Sequence, residues 1–400
     1  MRTRRDFILQ TAVAGGVLAL QGAPVSSAAK ELTRASKPLR VLILGATGFI
    51  GPHFVPAAVE RGHKVSVFLR NRGPESADLL AGVERLMGDR NGDLESIKNR
   101  DWDAVLDLAT YGPGWVRSLG EALKGRVKHY SFISTISVYD NPAAHDITDE
   151  NSKVQTYHGS ADPYSVTKPG EHYGAFKWLC EREAEQQFPG KTLILRPGYI
   201  VGPGDRNGAF TYWPVRMEKG GEVLVAGEPA APVQFIDVRD LAAWAMHLIE
   251  GSVTGIYNAV GPAVPMTFEQ MLNTGRSAMS VSPTLTWAPS SWLAAQKDPQ
   301  TWQKLLFWTS EPGGFAGTMR MSIERALAKG FTTRPLAATM TDTLSWYRKQ
   351  PADRQAGLLS IRKKKDDGTG WDVMTTPWPV YLELEKHMSS AWHASSVETK

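Results

Sequence analysis

Short apolar runs alternate with segments of helical spacing through the first two thirds of the chain. The runs at 40–44, 64–69, 83–87, 103–110 and 129–135 are rich in Val, Ile, Leu and Phe, which is typical of strands buried on both faces. Helical spacing follows the first run from Phe49 to Glu60 and ends at Gly62. Strands and helices that alternate at these intervals need right-handed crossovers. The pattern therefore predicts an α/β fold with a doubly wound parallel sheet.

A glycine-rich turn joins the first predicted strand to the first predicted helix. Its sequence, GATGFIG, places glycines at 45, 48 and 51. The first permits a tight turn, the second lets backbone N–H groups approach a diphosphate, and the third lets the helix pack closely on the strand, as in Rossmann-type folds. Glycines also punctuate ordinary loops, so this turn alone leaves the nucleotide interpretation open. The cofactor contacts predicted from it are Gly45, Thr47, Gly48, Phe49, Ile50 and Gly51.

Further cofactor contacts are expected where the predicted strands end, because ligands bind outside the carboxyl ends of parallel strands. Asp89, Ala109 and Thr135 fall at such ends. The contacts predicted after the third and fourth strands are Asp89, Arg90, Leu108, Ala109 and Thr110.

Arg70 ends the second predicted strand, 19 residues after Gly51. An acidic residue there would hold the 2′-hydroxyl of an NAD ribose, whereas a guanidinium suits a 2′-phosphate. We therefore expect NADP or NAD, leaning toward NADP, held tightly. The alternative is a solvated loop arginine, which accounts for Arg72 nearly as well.

Tyr173 and Lys177 lie four residues apart on a predicted helix and so share one face. A tyrosine of pKa near 10 can act as a base at neutral pH only if nearby positive charge, here from Lys177 and a nicotinamide, lowers that pKa. Thr135 could hydrogen-bond the same substrate oxygen. The alternative is a purely structural helix face, but chance explains poorly the combination with the glycine-rich turn.

These motifs resemble the extended branch of the short-chain dehydrogenase/reductase superfamily, known as the NAD-dependent epimerase/dehydratase family. The resemblance covers about residues 39–261. It rests, in order, on 45–51 (GATGFIG), Asp89, 107–110 (DLAT), 134–139 (STISVY), 173–177 (YGAFK), 195–205 (LRPGYIVGPGD) and 234–242 (QFIDVRDLA).

The resemblance also implies roles for single residues. It makes Thr135, rather than its neighbour Ser134, a catalytic residue, Tyr173 the acid/base, and Lys177 both its activator and a ribose ligand. It places Pro197 and Gly198 against the nicotinamide. Relatives that act on UDP-sugars carry a diphosphate-binding arginine where this chain has Val233.

Residues 205–235 form the predicted substrate segment. Aromatic side chains beside arginines can stack on a sugar or another flat ligand, and Arg206 or Arg216 could supply a missing phosphate contact. The alternative, given equal weight, is an aromatic helix face packed on the C-terminal part. The predicted substrate contacts are Tyr199, Arg206, Tyr212, Trp213, Arg216 and Gln234.

Residues 1–29 resemble a twin-arginine export signal, with Arg4 and Arg5 before a moderately apolar stretch and small residues at its end. The alternative is an N-terminal helix or a single membrane anchor, but the stretch is too short and too rich in Gly, Ala and Gln to cross about 30 Å of hydrocarbon comfortably. We expect cleavage after Ala28 or Ala29, export by the twin-arginine translocase to the periplasm in the folded state, and no membrane span afterwards.

Composition and charge narrow the possible partners. Removing residues 1–29, with their three arginines and one aspartate, lowers the formal charge from +4 to +2, which gives no basis for a nucleic-acid partner. The single Cys180 excludes an intramolecular disulfide, and the nine histidines show no metal-ligand spacing, so no metal is predicted. An oligomer is left open.

Beyond the dinucleotide-binding domain at 38–261, we expect a smaller, mainly helical, substrate-binding cap at 262–350 and a tail at 351–400. Helical spacing occurs at 268–279, 290–295, 323–329, 341–348 and 381–392, while 362–368 is predicted to be a solvated loop.

Three functions remain open from the sequence. The first is an exported epimerase, isomerase or dehydratase that oxidises and re-reduces one small substrate, with a sugar as one candidate. The second is a net alcohol dehydrogenase or ketone reductase, and the third is a binding protein that lost catalysis.

Overall fold

A computed structural model describes residues 34–70, 80–108, 110–140, 148–166, 170–205, 208, 210–296, 319–359, 361–364, 371–374 and 378–398. Residues 34–400 belong to one compact unit. The predicted export signal at 1–29 lies outside the described residues, so its cleavage stays a prediction.

The strands are β1 (Arg40–Leu44), β2 (Lys64–Leu69), β3 (Glu84–Met87), β4 (Ala104–Asp107), β5 (Tyr130–Ile133), β6 (Thr192–Pro197), β7 (Ile200–Val201), β8 (Glu222–Ala226), β9 (Pro232–Asp237), β10 (Gly255–Ala259), β11 (Gly261–Thr267), β12 (Thr284–Ala288), β13 (Ile361–Lys364) and β14 (Trp371–Met374). The helices are α1 (Gly51–Glu60), α2 (Glu95–Lys98), α3 (Pro113–Ala122), α4 (Tyr173–Gln187), α5 (Tyr212–Glu218), α6 (Val238–Glu250), α7 (Phe268–Ser277), α8 (Ser290–Ala294), α9 (Glu324–Leu327), α10 (Leu336–Arg348), α11 (Ala352–Leu358) and α12 (Trp378–Glu398).

Seven parallel strands form the main sheet in the order β10-β6-β5-β4-β1-β2-β3. The order reverses at β1 and β4, which is the place where doubly wound sheets bind ligands. The predicted Rossmann-type fold is therefore confirmed. Strands β4 and β5 are shorter than the runs 103–110 and 129–135, because the chain leaves the sheet at their carboxyl ends to form the site loops.

Helices cover both faces of this sheet. One layer contains α1 and α6, whose apolar side chains share a core with β1 and β2. The other contains α3 and α4, packed on the opposite side chains of β1, β4 and β5. Because β4, β5 and β6 are buried along their whole length, they read as continuous apolar runs.

A second, smaller core lies among α5, α7, α10 and the three-stranded sheet β11-β9-β7. The helical spacing predicted at 268–279, 290–295, 323–329 and 341–348 corresponds to α7, α8, α9 and α10. Strand β12 pairs in parallel with β8, so this part also contains strands.

The tail differs from expectation at one place. The loop predicted at 362–368 is wrong at its start, because 362–364 belong to β13, which pairs with β14 as an antiparallel hairpin. Backbone hydrogen bonds hold such a hairpin, and a run of charged residues in the sequence does not reveal them. Residues 365–368 lie outside the described part. No helix within the described ranges has the length and apolar character needed to cross a membrane.

Candidate active site

The glycine-rich turn between β1 and α1 has the geometry of an anion cradle. Gly45 has a φ of 86°, and the Gly48 amide donates to the Gly45 carbonyl at 3.1 Å. A Cβ on Gly51 would lie 2.1 Å from the Ala46 carbonyl oxygen, so only glycine fits where α1 starts against the turn. Ile50 gives α1 no side-chain cap, as suits a helix end that meets an anion. The turn therefore fits a diphosphate.

The predicted cofactor contacts after β3 have protein partners of their own. The Asp89 carboxylate accepts from the backbone and side-chain nitrogens of Asn91 at 2.8 and 2.9 Å. The Arg90 guanidinium donates to both carboxylate oxygens of Asp107, at 2.8 and 3.2 Å. After β4, Leu108 and Thr110 are buried, while Ala109 lies outside the described residues.

Arg70 is exposed directly after β2. This position is compatible with a 2′-phosphate contact but does not distinguish NADP from NAD. Arg72 lies outside the described residues.

Thr135 and Tyr173 meet at the carboxyl end of β5. Thr135 caps the short 3₁₀ turn that follows, because its Oγ1 accepts from the Ser137 amide at 3.1 Å. Tyr173 is the first residue of α4, and the Thr135 side chain is near enough to its hydroxyl to favour the ionised phenolate. The structure thus brings together the two residues predicted to contact one substrate oxygen.

Lys177 lies one turn further along α4 and is buried. Its Nζ donates to the carbonyls of Thr110 at 2.7 Å and Ile133 at 2.6 Å, and stands 4.1 Å from the centre of the Phe132 ring. Burial, opposed by nearby negative groups, lowers the pKa of Lys177 to about 8. The ammonium is therefore anchored to the ends of β4 and β5.

The protonation of Tyr173 differs from the expectation. The residue is 40% exposed, yet burial around its hydroxyl raises the pKa of Tyr173 to about 12, although the nearby Thr135 side chain lowers it. The lowering expected from Lys177 is not found: Lys177 is not among the groups that shift this pKa, and its ammonium contacts the two carbonyls. Without a cofactor, Tyr173 holds its proton at neutral pH.

Pro197 and Gly198 follow at the end of β6. A Cβ on Gly198 would approach Cγ1 of Val260 to 2.6 Å, so the backbone there packs tightly. Tyr199 comes next and is 37% exposed. This tight backbone lies where the resemblance expects the nicotinamide to bind.

The sequence profile of the family described as "NAD dependent epimerase/dehydratase family" matches residues 41–123 and 117–259, more than half of the chain. The chain belongs to this family. Its glycine-rich turn, Tyr173 and Lys177 all lie within the matched residues.

Individual relatives are more distant. Epimerase family protein SDR39U1 of Bos taurus is 29% identical over 263 residues, which cover 62% of this chain and 84% of that protein. Chloroplast stem-loop binding protein of 41 kDa b of Arabidopsis thaliana is 26% identical over 245 residues, covering 57% and 60%. The crystal structure of the Bordetella bronchiseptica enzyme WbmG in complex with NAD has the same fold, with a TM-score of 0.55, 18% identity, and coverage of 78% of this chain and 95% of that one.

In this epimerase/dehydratase family member, the aromatic segment of α5 lies in the interior. Tyr212, Trp213 and Arg216 are buried within the smaller core. The Arg216 Nε donates to Glu385 at 2.6 Å, and its other nitrogens donate to backbone carbonyls of Gly220 and Glu222. The structure thus favours packing over substrate contact for these three residues.

Gln234 is also occupied by the protein. Its side-chain nitrogen donates to the Met321 carbonyl at 3.0 Å, and its side-chain oxygen accepts from the Met321 amide at 2.7 Å. This bidentate contact attaches residues 319–323 to β9. Because both polar atoms of the Gln234 side chain bind the protein backbone, the structure gives no support to a substrate contact by Gln234. Arg206 lies outside the described residues. Tyr199 is the predicted substrate residue that the structure places exposed beside the site.

Two polar groups that support the site were not singled out from the sequence. Asp107 is buried at the end of β4, and Glu181 on α4 accepts from Ser134 at 2.5 Å and from Arg196 at 2.6 and 3.0 Å. The sequence did contain a sign of both groups, namely a charged residue within an apolar strand: Asp107 in β4, and Arg196, the partner of Glu181, in β6. A buried charge requires a partner, so such a residue indicates a buried polar contact. Among the described residues, no group of three or more His, Cys, Asp or Glu side chains could hold a metal ion.

Proposed function

We propose that this chain uses a tightly held NADP or NAD to oxidise and re-reduce one small substrate, which results in epimerisation, isomerisation or dehydration. The observation that carries the proposal is that the Thr135 and Tyr173 side chains come together at the end of β5, with the Lys177 ammonium bound to the carbonyls of Thr110 and Ile133. Membership in the NAD dependent epimerase/dehydratase family supports the same chemistry.

The residues of the site fit a nicotinamide dinucleotide. The glycine-rich turn would hold the diphosphate, Lys177 a ribose, and the backbone of Pro197 and Gly198 the nicotinamide. When bound, the nicotinamide accepts and returns the hydride. Thr135, Tyr173 and Lys177 would orient the substrate and the cofactor for this exchange.

Thr135 and Tyr173 would hold the substrate oxygen between two hydroxyl groups, and Tyr173 would move its proton. At a pKa of about 12, Tyr173 is ready to donate a proton to a carbonyl oxygen. Acting as a base requires extra positive charge near the phenol, which an oxidised nicotinamide supplies. This arrangement suits an enzyme in which Tyr173 alternates between acid and base.

The arginine contacts favour a substrate without a nucleotide diphosphate. Val233 stands where UDP-sugar relatives carry an arginine, and Arg216 is neutralised by Glu385. Arg206 lies outside the described residues. A free sugar or another small alcohol or ketone is therefore our preferred substrate class.

A net alcohol dehydrogenase or ketone reductase is the second candidate, because the same three side chains serve it equally well. A redox-neutral cycle is favoured if the chain is exported as we propose, since reduced nicotinamide is not regenerated outside the cytoplasm. A binding protein without catalysis is the third candidate, and a stem-loop binding protein is among the similar chains. The intact Thr135, Tyr173 and Lys177 and the formal charge of +2 after signal removal argue against it.

The test begins with mass spectrometry of ligand released from the purified protein, followed by a screen of sugars and small alcohols. Tyr173→Phe removes only the proton-transferring oxygen, so turnover should fall by roughly 10²–10⁴ while cofactor binding persists. Thr135→Val should act in the same direction but more mildly. Tyr164→Phe is the matched control, because its hydroxyl contacts Glu183 on the far side of α4.

The time course separates the candidates. A redox-neutral enzyme should show near-ultraviolet absorbance of reduced nicotinamide that rises and falls within one turnover, without net consumption of added cofactor. A dehydrogenase or reductase would consume cofactor stoichiometrically. Near-normal turnover of Tyr173→Phe would contradict both and favour the binding protein.

A further inference from the structure

Asp107 forms the centre of a buried polar cluster beneath the site. Its carboxylate is fully buried at the end of β4 and accepts hydrogen bonds from three side chains. Arg90 donates at 2.8 and 3.2 Å, the Thr110 hydroxyl lies 2.6 and 2.8 Å from the two oxygens, and the Tyr130 hydroxyl donates at 3.1 Å. Donors from the loops after β3 and β4 and from β5 therefore meet on one carboxylate.

Thr110 joins this cluster to Lys177. Its hydroxyl is held by Asp107, while its backbone carbonyl accepts from the Lys177 ammonium at 2.7 Å. The other contacts of the ammonium are the Ile133 carbonyl and the Phe132 ring. All of these direct partners are neutral, and neutral acceptors alone compensate poorly for burying a charge.

The compensating charge must come from groups one step further away. Burial lowers the pKa of Lys177, Cys180, Asp107 and Glu181 raise it, and Arg90 lowers it further. Burial raises the pKa of Cys180 to about 12, so at neutral pH it remains a thiol.

The two carboxylates are not equivalent. Glu181 accepts from Nε and one terminal nitrogen of an Arg196 side chain that is as deeply buried as Glu181 itself. Asp107 is fully buried, whereas its partner Arg90 is partly open to solvent and its charge is correspondingly screened. Tyr130 adds only a neutral hydroxyl, because burial raises its pKa well above the usual value.

We propose that Asp107 is a positioning residue for Lys177: through Thr110 it fixes the carbonyl that binds the ammonium, and its negative charge keeps that ammonium charged. The inference rests on the proposed function, in which a charged Lys177 binds the cofactor ribose. Because Asp107 is fully buried, it would act on the cofactor only through Thr110 and Lys177.

The test measures cofactor affinity against pH by calorimetry, from about pH 6 to pH 10, around the pKa of about 8 for Lys177. If binding requires the ammonium, the affinity of the wild type should fall about tenfold per pH unit above that pKa. In Asp107→Asn the fall should begin at least about one pH unit lower, because a nearby opposite charge is lost. Lys177→Met should bind weakly, with little dependence on pH.

Glu183→Gln is the matched control. Like Asp107 on β4, Glu183 on α4 is a buried carboxylate bound by an arginine and a tyrosine, Arg117 at 3.1 and 3.2 Å and Tyr164 at 3.0 Å. Its arginine belongs to α3, and Glu183 is not among the groups that shift the pKa of Lys177. This variant should keep the wild-type pH profile. A structural loss alone would lower affinity at every pH and leave the midpoint unmoved.

Arg90→Gln gives a test of opposite sign that does not depend on the folding of Asp107→Asn. Removing the positive charge should move the fall in affinity to higher pH. The proposal is overturned if the cofactor binds and neither variant moves the midpoint relative to Glu183→Gln. If the wild type binds no nicotinamide nucleotide at any pH, the proposed function fails, and the inference fails with it.

Discussion

Burial has opposite effects on the two titratable groups of the site because it disfavours whichever form carries charge. It raises the pKa of Tyr173 to about 12 and lowers that of Lys177 to about 8. Both groups are thus poised to respond to charge brought by a ligand, and neither is activated by the other alone. Residue identity therefore predicted the members of the pair, while their protonation depended on the burial that the fold imposes.

At the same scale, Arg70 offers a direct test of cofactor choice. If its guanidinium pairs with a 2′-phosphate, Arg70→Asp should weaken NADP binding by about 2–5 kcal/mol and shift the preference toward NAD. Arg85→Asp, the same charge reversal at an exposed position on the neighbouring strand β3, should leave the preference unchanged. Calorimetry with both nucleotides decides between them. Equal NADP affinity in the Arg70 variant would mean that Arg70 is only solvated.

Among the elements, the turn from β1 to α1 was the easiest to predict, because a backbone constraint leaves a mark on the sequence. The start of α1 packs so closely on Ala46 that residue 51 must be glycine, and the glycine in the sequence therefore indicates this contact. The residue types of helix α5 do not indicate its packing in this way. Trp213 and Arg216 would look alike in a binding loop and in a core, and the partner that decides, Glu385, is 169 residues away from Arg216.

Gly51→Ala should test how strictly this turn is constrained. The new Cβ would overlap the Ala46 carbonyl, so α1 would have to shift, and overpacking of this kind costs about 1–3 kcal/mol or more. We expect a lower melting temperature and loss of cofactor binding. Gly357→Ala in α11 is the control, because nothing lies within 4 Å of the added methyl group and alanine favours a helix. Wild-type stability and cofactor affinity in Gly51→Ala would contradict the requirement for glycine where α1 packs on Ala46.

On the scale of the whole molecule, the location of the chain is a separate prediction from its chemistry. Arg4 and Arg5 precede the apolar stretch of the proposed export signal. Replacing both with lysine keeps the charge but removes the twin-arginine pattern, so the precursor should stay in the cytoplasm with its signal attached. Cell fractionation and immunoblotting measure where the precursor accumulates. The control replaces two basic residues beyond the signal, Arg34 with lysine and Lys37 with arginine, and should be exported normally. Efficient export of the double-lysine variant would rule out the twin-arginine route.

Contacts between distant parts of the chain were the least predictable feature, and those of the C-terminal helix also define its role. Glu385 on α12 is buried, accepts from Arg216 at 2.6 Å, and accepts from the Leu224 amide at 3.0 Å. One side chain thus fastens the tail to both α5 and β8. The same helix carries Glu383, which is exposed and pairs with the exposed Lys386.

These two glutamates provide a matched pair for the last prediction. Glu385→Gln leaves the buried Arg216 without its counter-charge, so the free energy of unfolding should fall by about 3–5 kcal/mol. Glu383→Gln should change it by less than about 1 kcal/mol, because exposed ion pairs contribute little. Urea unfolding followed by tryptophan fluorescence measures both, and Arg216→Met combined with Glu385→Leu should recover much of the loss. Equal stability of the two single variants would contradict a stabilising buried ion pair between α12 and α5. The tail would then not be part of the smaller core.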